Sequence, residues 1–508
     1  MAIKKYYADK DNTITNAFKS NLINRAQESN MGAADILEAF VIHGQTSASV
    51  TTTPSAGNAT NAEQSRFIIQ FPISKINSDM ASGVLPADTG SIKFYLNLYN
   101  APHGNTAPRD FSLDVYMLSE AWTEGRGLDM ENYTDLGASS WLSSAAGTTW
   151  TQAGGTYLAP AETKKTFAFE TGLENMSLDV SDQVYKWLEY LAAIGGEVNH
   201  GFLVKFPDAV VSGSETMYTK KFFSRTSEYF HYRPTLEARW DSTRKDNRGT
   251  FFVSSSVASA ANNLNTLYLY NIVRGQLQDL PGLSNQTLTV DLYSGSSEPT
   301  GTALSLVKPG GTAATSITAG VLRENGATIT GVYTASFAST SSLDTVFDVW
   351  HTGSGVSRVN FYTASYEPKT FGTIDGLYRE EYITSITNLE DSYTQGQTPN
   401  LRVFARKKNW NPNIYTVATA ETLPDIIEDS YYRIHRVVDD LEVIPFGTGS
   451  ANNYFSRLSY DVSGNYFELD TSCLEPGYAY GITFAYYLQG EYVEQPEVFK
   501  FKIKEEDK

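Results

Sequence analysis

Residues 92–99, Ile92-Lys93-Phe94-Tyr95-Leu96-Asn97-Leu98-Tyr99, decide the fold class. Ile92, Phe94, Leu96 and Leu98 recur at every second position, the period that places side chains on one face of a β-strand. Upstream, Ser65-Arg66-Phe67-Ile68-Ile69-Gln70-Phe71 reads as a second strand, and downstream Leu113-Asp114-Val115-Tyr116-Met117-Leu118 as a third. Phe202–Phe206, Lys221–Ser224 and Pro234–Trp240 continue the set, with Pro234 at a strand start where a missing N–H is tolerated. A single short helix is predicted among them. Ser181 stands as its N-cap and Asp182 in its first turn. Val184, Trp187, Leu188 and Leu191 form one apolar stripe, and Gly195-Gly196 ends it.

The pattern repeats further along the chain. Thr266–Val273, Thr287–Tyr293, Val332–Phe337 and Thr345–Trp350 read as strands separated by Gly/Ser/Thr turns. Leu401–Ala405, Leu458–Val462, Asn465–Leu469, Tyr478–Phe484 and Val498–Ile503 follow, and Ser463-Gly464 reads as a two-residue hairpin turn. The charged stretch Asp241-Ser242-Thr243-Arg244-Lys245-Asp246-Asn247-Arg248-Gly249 reads as a linker. The expected architecture is all-β. It comprises an N-terminal jelly-roll sandwich over 1–245 with one short helix, then two smaller Ig- or fibronectin-like β-sandwiches over 246–375 and 376–508. Long excursions are expected at about 44–62 and 136–156.

Composition agrees. The chain has 508 residues, of which 13% are aromatic and only 19% charged, with 32 Tyr and 26 Phe. These are residues suited to a pleated, half-buried surface. The net charge of −18 opposes phosphate backbones, and the basic runs Arg406-Lys407-Lys408 and Lys220-Lys221 are short, so direct nucleic-acid binding is not expected. One cysteine, Cys473, permits no intramolecular disulfide. The opening MAIKKYYADKDNTITNAF has no apolar signal-peptide core, and no membrane-length apolar run occurs. A protein assembled in a reducing cytoplasm fits these features, and work outside a cell would need an exit route that uses no signal peptide.

Candidate chemistry is sparse. His43, His103, His200, His231, His351 and His435 form no metal-ligand spacing, and a satisfied or exposed histidine is the plain alternative for each. Asp9, Asp11 and Asn12 resemble the opening of a calcium loop but lack its glycine, and read as a solvated N-terminal arm. Glu120 and Glu124 flank Trp122, and Asp129 lies near Glu131. Paired carboxylates beside aromatics are what glycoside hydrolysis needs, and equally what an acidic loop contains. Gly353-Ser354-Gly355 and Gly447-Thr448-Gly449 read as turns rather than phosphate loops, since neither has the Walker lysine. Asp425, Glu428, Asp429, Asp439, Asp440 and Glu442 read as a solvated surface, with a docking face for a basic partner as the functional alternative. Trp122, Tyr133, Trp141, Trp150 and Tyr157 are candidate stacking residues for a glycan or a protein partner. No catalytic residue, metal ligand or cofactor is assigned.

The first segment resembles the DNRLRE family of jelly-roll domains over about 7–241. Asn30-Met31-Gly32 is similar to its Asn-x-Gly opening, and Ser119-Glu120-Ala121-Trp122-Thr123-Glu124-Gly125 to its Trp-x-Glu-Gly signature. Leu178-Asp179-Val180-Ser181 to Trp187 resembles its Asp-Val-Thr helix. Gly201–Val204, Phe223-Ser224-Arg225 and Arg233–Leu236 resemble its closing strands. The resemblance implies a jelly roll used on cell-surface and extracellular proteins, some of which bind polysaccharide. The family's signature hexapeptide is absent, Leu96–Asn100 standing at that place, and no sugar or metal ligand is carried over. The whole chain also resembles virion structural proteins of marine T4-like tailed phages. That resemblance is carried by Arg233–Ser242 with Lys245–Gly249, Asn263–Tyr270, Tyr382–Leu389 and Leu458–Asp470. It implies a non-enzymatic particle component whose partners are other virion proteins and further copies of itself. The alternatives are a host-recognition module for surface polysaccharide and, third, a depolymerase.

Overall fold

The computed structural model describes residues 2–21, 24–43, 62–88, 90–103, 109–130, 134–158, 163–213, 215–255, 257–283, 286–339, 343–369, 381–411, 414, 423–448 and 454–505. Strand accounts for 44% and helix for 9%. The expected all-β class is what the chain adopts. It divides into two units, Ala2–Trp240 and Asp241–Lys508.

The described residues of the first unit form thirteen strands: β1 (Ile3–Tyr7), β2 (Lys10–Thr15), β3 (Ile36–Ile42), β4 (Glu63–Gln70), β5 (Lys93–Leu98), β6 (Phe111–Met117), β7 (Ser143–Ala145), β8 (Thr148–Thr149), β9 (Lys165–Phe169), β10 (Met176–Asp179), β11 (Phe202–Lys205), β12 (Met217–Phe223) and β13 (Thr235–Arg239). One sheet runs β1-β13-β5-β10, the other β12-β3-β4-β11-β6-β9 with β2 also on β4. The alternation in β5 has the predicted consequence: Phe94, Leu96 and Leu98 are fully buried while Lys93 and Tyr95 are not. Helix α1 spans Ile73–Ala81, α2 Ser181–Leu191 and α3 Asp208–Val211. α2 is the predicted helix. It buries Val184, Trp187 and Leu188, with the Trp187 ring 4.7 Å from that of Phe202. Its N-cap is Val180, not Ser181. Ser181 is tied instead to Asp179 and accepts the backbone N–H of Phe94 at 2.9 Å, fastening the helix to β5. α1 was not legible, because it buries only Ile73 and Ile76 and carries no side-chain cap.

In the second unit a six-stranded antiparallel sheet runs in the order Asn265–Tyr270, Ala327–Phe337, Ile317–Glu324, Leu288–Ser294, Val346–Thr352, Val359–Tyr366. Leu267, Val290, Leu292, Tyr333, Phe337 and Trp350 form its core. Tyr382–Ile386, Asn400–Lys407, Gly464–Glu468 and Ser459–Asp461 make a four-stranded sheet. Facing it, Ser392–Thr394, Phe499–Lys504, Ala479–Leu488, Ser430–Arg436 and Leu441–Ile444 lie in that order, with Glu491–Glu494 also beside Ala479–Leu488. Tyr432 stacks on Phe467 at 4.3 Å between these two layers. The hairpin turn is Val462-Ser463, one residue earlier than read, because Asp461 pairs with Gly464.

The stretch 241–249 is packed. Asp246 and Asn247 are buried. Asn247 donates to the Tyr460 hydroxyl and to Thr250 and holds the Thr266 N–H, so one side chain ties the six-stranded sheet to the four-stranded one. Arg248 forms an ion pair with Asp348, which is fully buried and also accepts the Trp350 indole N–H at 2.6 Å.

Candidate functional site

Three separated motifs of the first unit meet at one place. Asn30 lies in the loop before β3, Trp122-Thr123-Glu124-Gly125 in the excursion after β6, and Ser224-Arg225 directly after β12. The Arg225 guanidinium grips the Glu124 carboxylate with two nitrogens, Nε lying 2.6 Å from Oε1. The Arg225 backbone N–H donates to Asp11 Oδ2 at 2.7 Å, and the Asp11 N–H donates to Glu124 Oε1 at 2.9 Å. Asn30 Oδ1 accepts the Gly127 N–H at 2.9 Å. Asn12 accepts from Met31 N–H and donates to Ser139, fastening β2 to both loops. The motif glycines follow from this crowding. A Cβ on Gly32 would stand 2.2 Å from the Gly125 carbonyl oxygen, and one on Gly125 would stand 2.0 Å from Asn30 Oδ1.

The lock's electrostatics turn on Asp11. Burial pushes its carboxyl up to about 7, and the Glu124 charge adds to that, against the opposing pull of the Arg225 N–H and guanidinium. Asp11 Oδ1 has no hydrogen-bond partner among the described residues, which makes the anion costly there. The expected solvated arm is therefore an internal strand in which Asp11 and Asn12 are buried. No group of three or more His, Cys, Asp or Glu side chains is arranged to hold a metal ion among the described residues. Glu124 is clamped by Arg225. Glu120 accepts from the Thr151 N–H at 3.3 Å. Asp129 is described, whereas Glu131 lies outside the described residues.

Of the five stacking candidates, the structure brings three together in one cluster. Trp122, Trp150 and Tyr157 join Ile68, Tyr116, Leu118 and Leu203 on the outer side of the β4-β11-β6 sheet. Trp122, Trp141 and Trp150 are each 5% exposed. The Trp122 indole donates to His200 O at 2.8 Å and that of Trp150 to Ser140 O at 2.9 Å, so these rings form a third layer over the sheet. Trp141 stacks beneath the buried Arg66 guanidinium at 4.8 Å. Tyr157 is half-buried, lies 4.4 Å from the Tyr116 ring and accepts Lys205 Nζ at 3.0 Å. Tyr133 lies outside the described residues, as do positions 44–61 of the first long excursion.

The accessible rings stand elsewhere. Between Arg225 and Pro234 the chain displays Tyr229, Phe230, His231 and Tyr232. Tyr232 is parallel to Phe223 at 5.2 Å and 14°. Tyr229, 52% exposed, meets both at 5.6 and 6.0 Å. Tyr99 lies 5.8 Å from Tyr232, and Tyr7 lies 4.9 Å from Phe230. The lock holds the start of this loop through Ser224 and Arg225, and Arg233 Nε donates to Ser227 O at 2.8 Å near its end. Sequence reading passed over these residues. The dense aromatic run between two motif segments was the signal that could have found them.

The remaining candidates fall apart in space. His351 lies 2.9 Å from Asp291, which also accepts from Arg358 and Tyr293. His43 lies 3.1 Å from Val210 O, and His435 lies 3.8 Å from Asp440. Burial lowers the His200 imidazole. Gly353-Ser354-Gly355 is a turn between two strands of the six-stranded sheet. Gly447 and Thr448 are described and Gly449 is not. The acidic zone of the second unit is partly strand. Asp439 and Asp440 sit at the turn between Ser430–Arg436 and Leu441–Ile444, and Asp439 pairs with Arg436. Asp429 stands 3.6 Å from Arg457, and Asp425 accepts the Lys407 N–H.

No protein-family model matches the chain, and no curated protein matches it. Among solved structures it is similar to alpha-2-macroglobulin of E. coli, at 10% identity over 97% of this chain and 28% of that one, with a TM-score of 0.15. A mutant alpha-2-macroglobulin of Salmonella matches at 10% identity over 97% and 27%, with a TM-score of 0.14. The methylamine-reacted Salmonella protein matches at 10% over 99% and 34%, also at 0.14. The chain thus spans about a third or less of the length of these proteins, and likenesses at such TM-scores carry no argument about its fold or its role.

Proposed function

We propose that this chain is a structural component of a tailed-phage virion that acts through protein–protein contacts. The observation that carries the reading is the fate of the motif residues. Asn30, Gly32, Glu124, Gly125 and Arg225 are used to lock two loops onto a sandwich, which is the work of a scaffold. Large apolar side chains standing in solvent support contacts with other proteins. On the Ile272–Leu277 hairpin, Ile272 is 61%, Val273 41% and Leu277 40% exposed. The test is a mass-spectrometric inventory of purified, DNA-filled particles of the phage that encodes the chain. The polypeptide is expected there at a stoichiometry set by particle symmetry, and its absence from such particles would end the reading.

A second reading, a carbohydrate-binding host-recognition module, is favoured by one observation, the ring cluster in which Tyr229, 52% exposed, meets the partly buried Phe223 and Tyr232. A half-exposed tyrosine backed by two further rings is a surface on which a sugar ring can stack. A glycan array probed with the full chain and with Y229A tests it. Binding lost in the variant supports the module, and no binding by the folded parent removes it.

A further inference from the structure

In the first unit Lys220, at the middle of β12, is fully buried, a place where lysine ordinarily stands only beside a carboxylate. Its hydrogen-bond acceptors are instead three neutral oxygens. Nζ donates to Asn100 Oδ1 at 2.6 Å, to Gly172 O at 2.9 Å and to Glu174 O at 2.9 Å. The rings of Phe169 and Phe222 wall the amine at 4.8 and 5.0 Å. Burial brings it down to about 8, against the opposing pull of the Glu174 carboxylate. About a tenth of it is then unprotonated at pH 7. Asn100 is fixed from its backbone. Its N–H donates to Asn175 Oδ1 at 2.8 Å, it forms a bridge with Phe222, and the next N–H, that of Ala101, donates to Lys221 O at 3.0 Å. No hydrogen bond holds Asn100 Nδ2 among the described residues. An amine of lowered basicity and a primary amide are thus kept in contact on a rigid frame.

We propose that Lys220 and Asn100 condense into an intramolecular isopeptide bond, a covalent tie between the two sheets of the sandwich. Neutral Nζ attacks Asn100 Cγ. The Nζ–Cγ bond forms as the carbonyl electron pair moves onto Oδ1. One proton passes from Nζ to Nδ2. The pair returns from Oδ1, the Cγ–Nδ2 bond breaks and ammonia leaves. That ammonia takes up the proton the lysine gave up on becoming neutral, so lysine ammonium and asparagine amide yield a secondary amide and an ammonium ion. Nothing is oxidised or reduced. Two physical terms favour the step. Contact fixed by the fold replaces a bimolecular encounter, and desolvation makes the lysine a better nucleophile. The product is also uncharged, which removes the cost of a buried cation with no carboxylate hydrogen-bonded to it. The bond joins β12, which ends one sheet, to the residues that follow β5 in the other, and it closes the loop 100–220. Such a closure restricts the unfolded chain and so resists unfolding.

The bond belongs to the first unit alone and forms whether or not the chain sits in a particle, so it stands or falls apart from the proposed function. Its test is an intact-mass measurement of the purified full chain under denaturing conditions, joined to tryptic peptide mapping. The parent is expected to be lighter than its sequence by one molecule of ammonia, after allowance for the initiator methionine. The map is expected to contain a branched peptide that joins the segment around Asn100 to the segment around Lys220. K220R keeps a cation and its donors but has no nucleophilic nitrogen, and N100A has no amide to attack, so both should carry the full mass. A parent that keeps its full mass after prolonged incubation of the folded protein at about pH 9, above the lysine's own value, overturns the bond. So does a loss of ammonia that persists in K220R, because it would mark an asparagine that has cyclised on its own backbone. The decisive reading is made on the parent, so it does not depend on either variant folding.

Discussion

Removing the charge of Asp11 should shrink a pH-dependent loss of stability that the parent's first unit shows. Asp11 is buried, its Oδ1 has no hydrogen-bond partner among the described residues, and its carboxyl is pushed from 3.8 up to about 7. A carboxyl whose folded value lies above its unfolded value binds protons more tightly in the native state. Its stabilising contribution is therefore complete below about 3.8 and is lost as the pH rises through 7. Between pH 5.5 and pH 8 the two values give a loss of about 2 kcal/mol. For a unit of this size that is about 4–8 °C in melting temperature. Five of the seven tryptophans, Trp122, Trp141, Trp150, Trp187 and Trp240, lie in this unit, so indole fluorescence during urea unfolding reports mainly on it. The parent should show a higher urea midpoint at pH 5.5 than at pH 8. D11N keeps the oxygen that accepts the Arg225 N–H but cannot ionise, so its difference between the two pH values should shrink by about 2 kcal/mol. If the two proteins lost stability in parallel over this range, Asp11 would not titrate there, and the account of the lock as a buried, partly unsatisfied carboxyl would be wrong.

Three more outcomes follow from the packing. G32A must displace the Gly125 carbonyl from 2.2 Å and should cost about 3 kcal/mol, seen as a lower urea midpoint of the first unit at constant slope. R225M removes both arms of the clamp on Glu124. Its side chain is partly exposed, so the loss should be about 2 kcal/mol, accompanied by faster amide exchange in the 122–127 loop and in the aromatic loop that follows residue 225. R248L leaves the fully buried Asp348 without its cation and should cost about 3–5 kcal/mol in the second unit alone, read as earlier exposure of Trp350 in differential scanning and fluorescence.

How much of this was legible depends on whether the deciding signal was local. Runs of apolar and β-branched residues need no partner to be read, and β4, β5, β6, β11 and β13 lie where they placed them, as do Asn265–Tyr270, Leu288–Ser294, Val346–Thr352, Asn400–Lys407, Gly464–Glu468 and Phe499–Lys504 of the second unit, whereas Ser430–Arg436 and Leu441–Ile444 were not read. Ile317–Glu324 and Val359–Tyr366 were passed over because they lack period-two alternation. The former exposes Thr318 and half-buries Gly320 and Val321, and the latter is open on both faces. Those residues answer to neighbours, not to period. The candidate site shows the same division more sharply. Trp122, Trp141 and Trp150 were selected because tryptophan beside a loop suggests a surface platform, yet a loop is a statement about backbone pairing and not about depth. The excursion carrying them folds back as a layer over the sheet, so the largest apolar side chains go inward, as burial of their area favours. Between Arg225 and Pro234, Tyr229 stays half in water while Tyr232 is partly buried; the loop's start is tied to Asp11, and Arg233 closes the loop on its own Ser227. Those contacts come from Asp11, Glu124 and Ser227. The first two are far from the loop in sequence, and their relation to it exists only once the sandwich has closed.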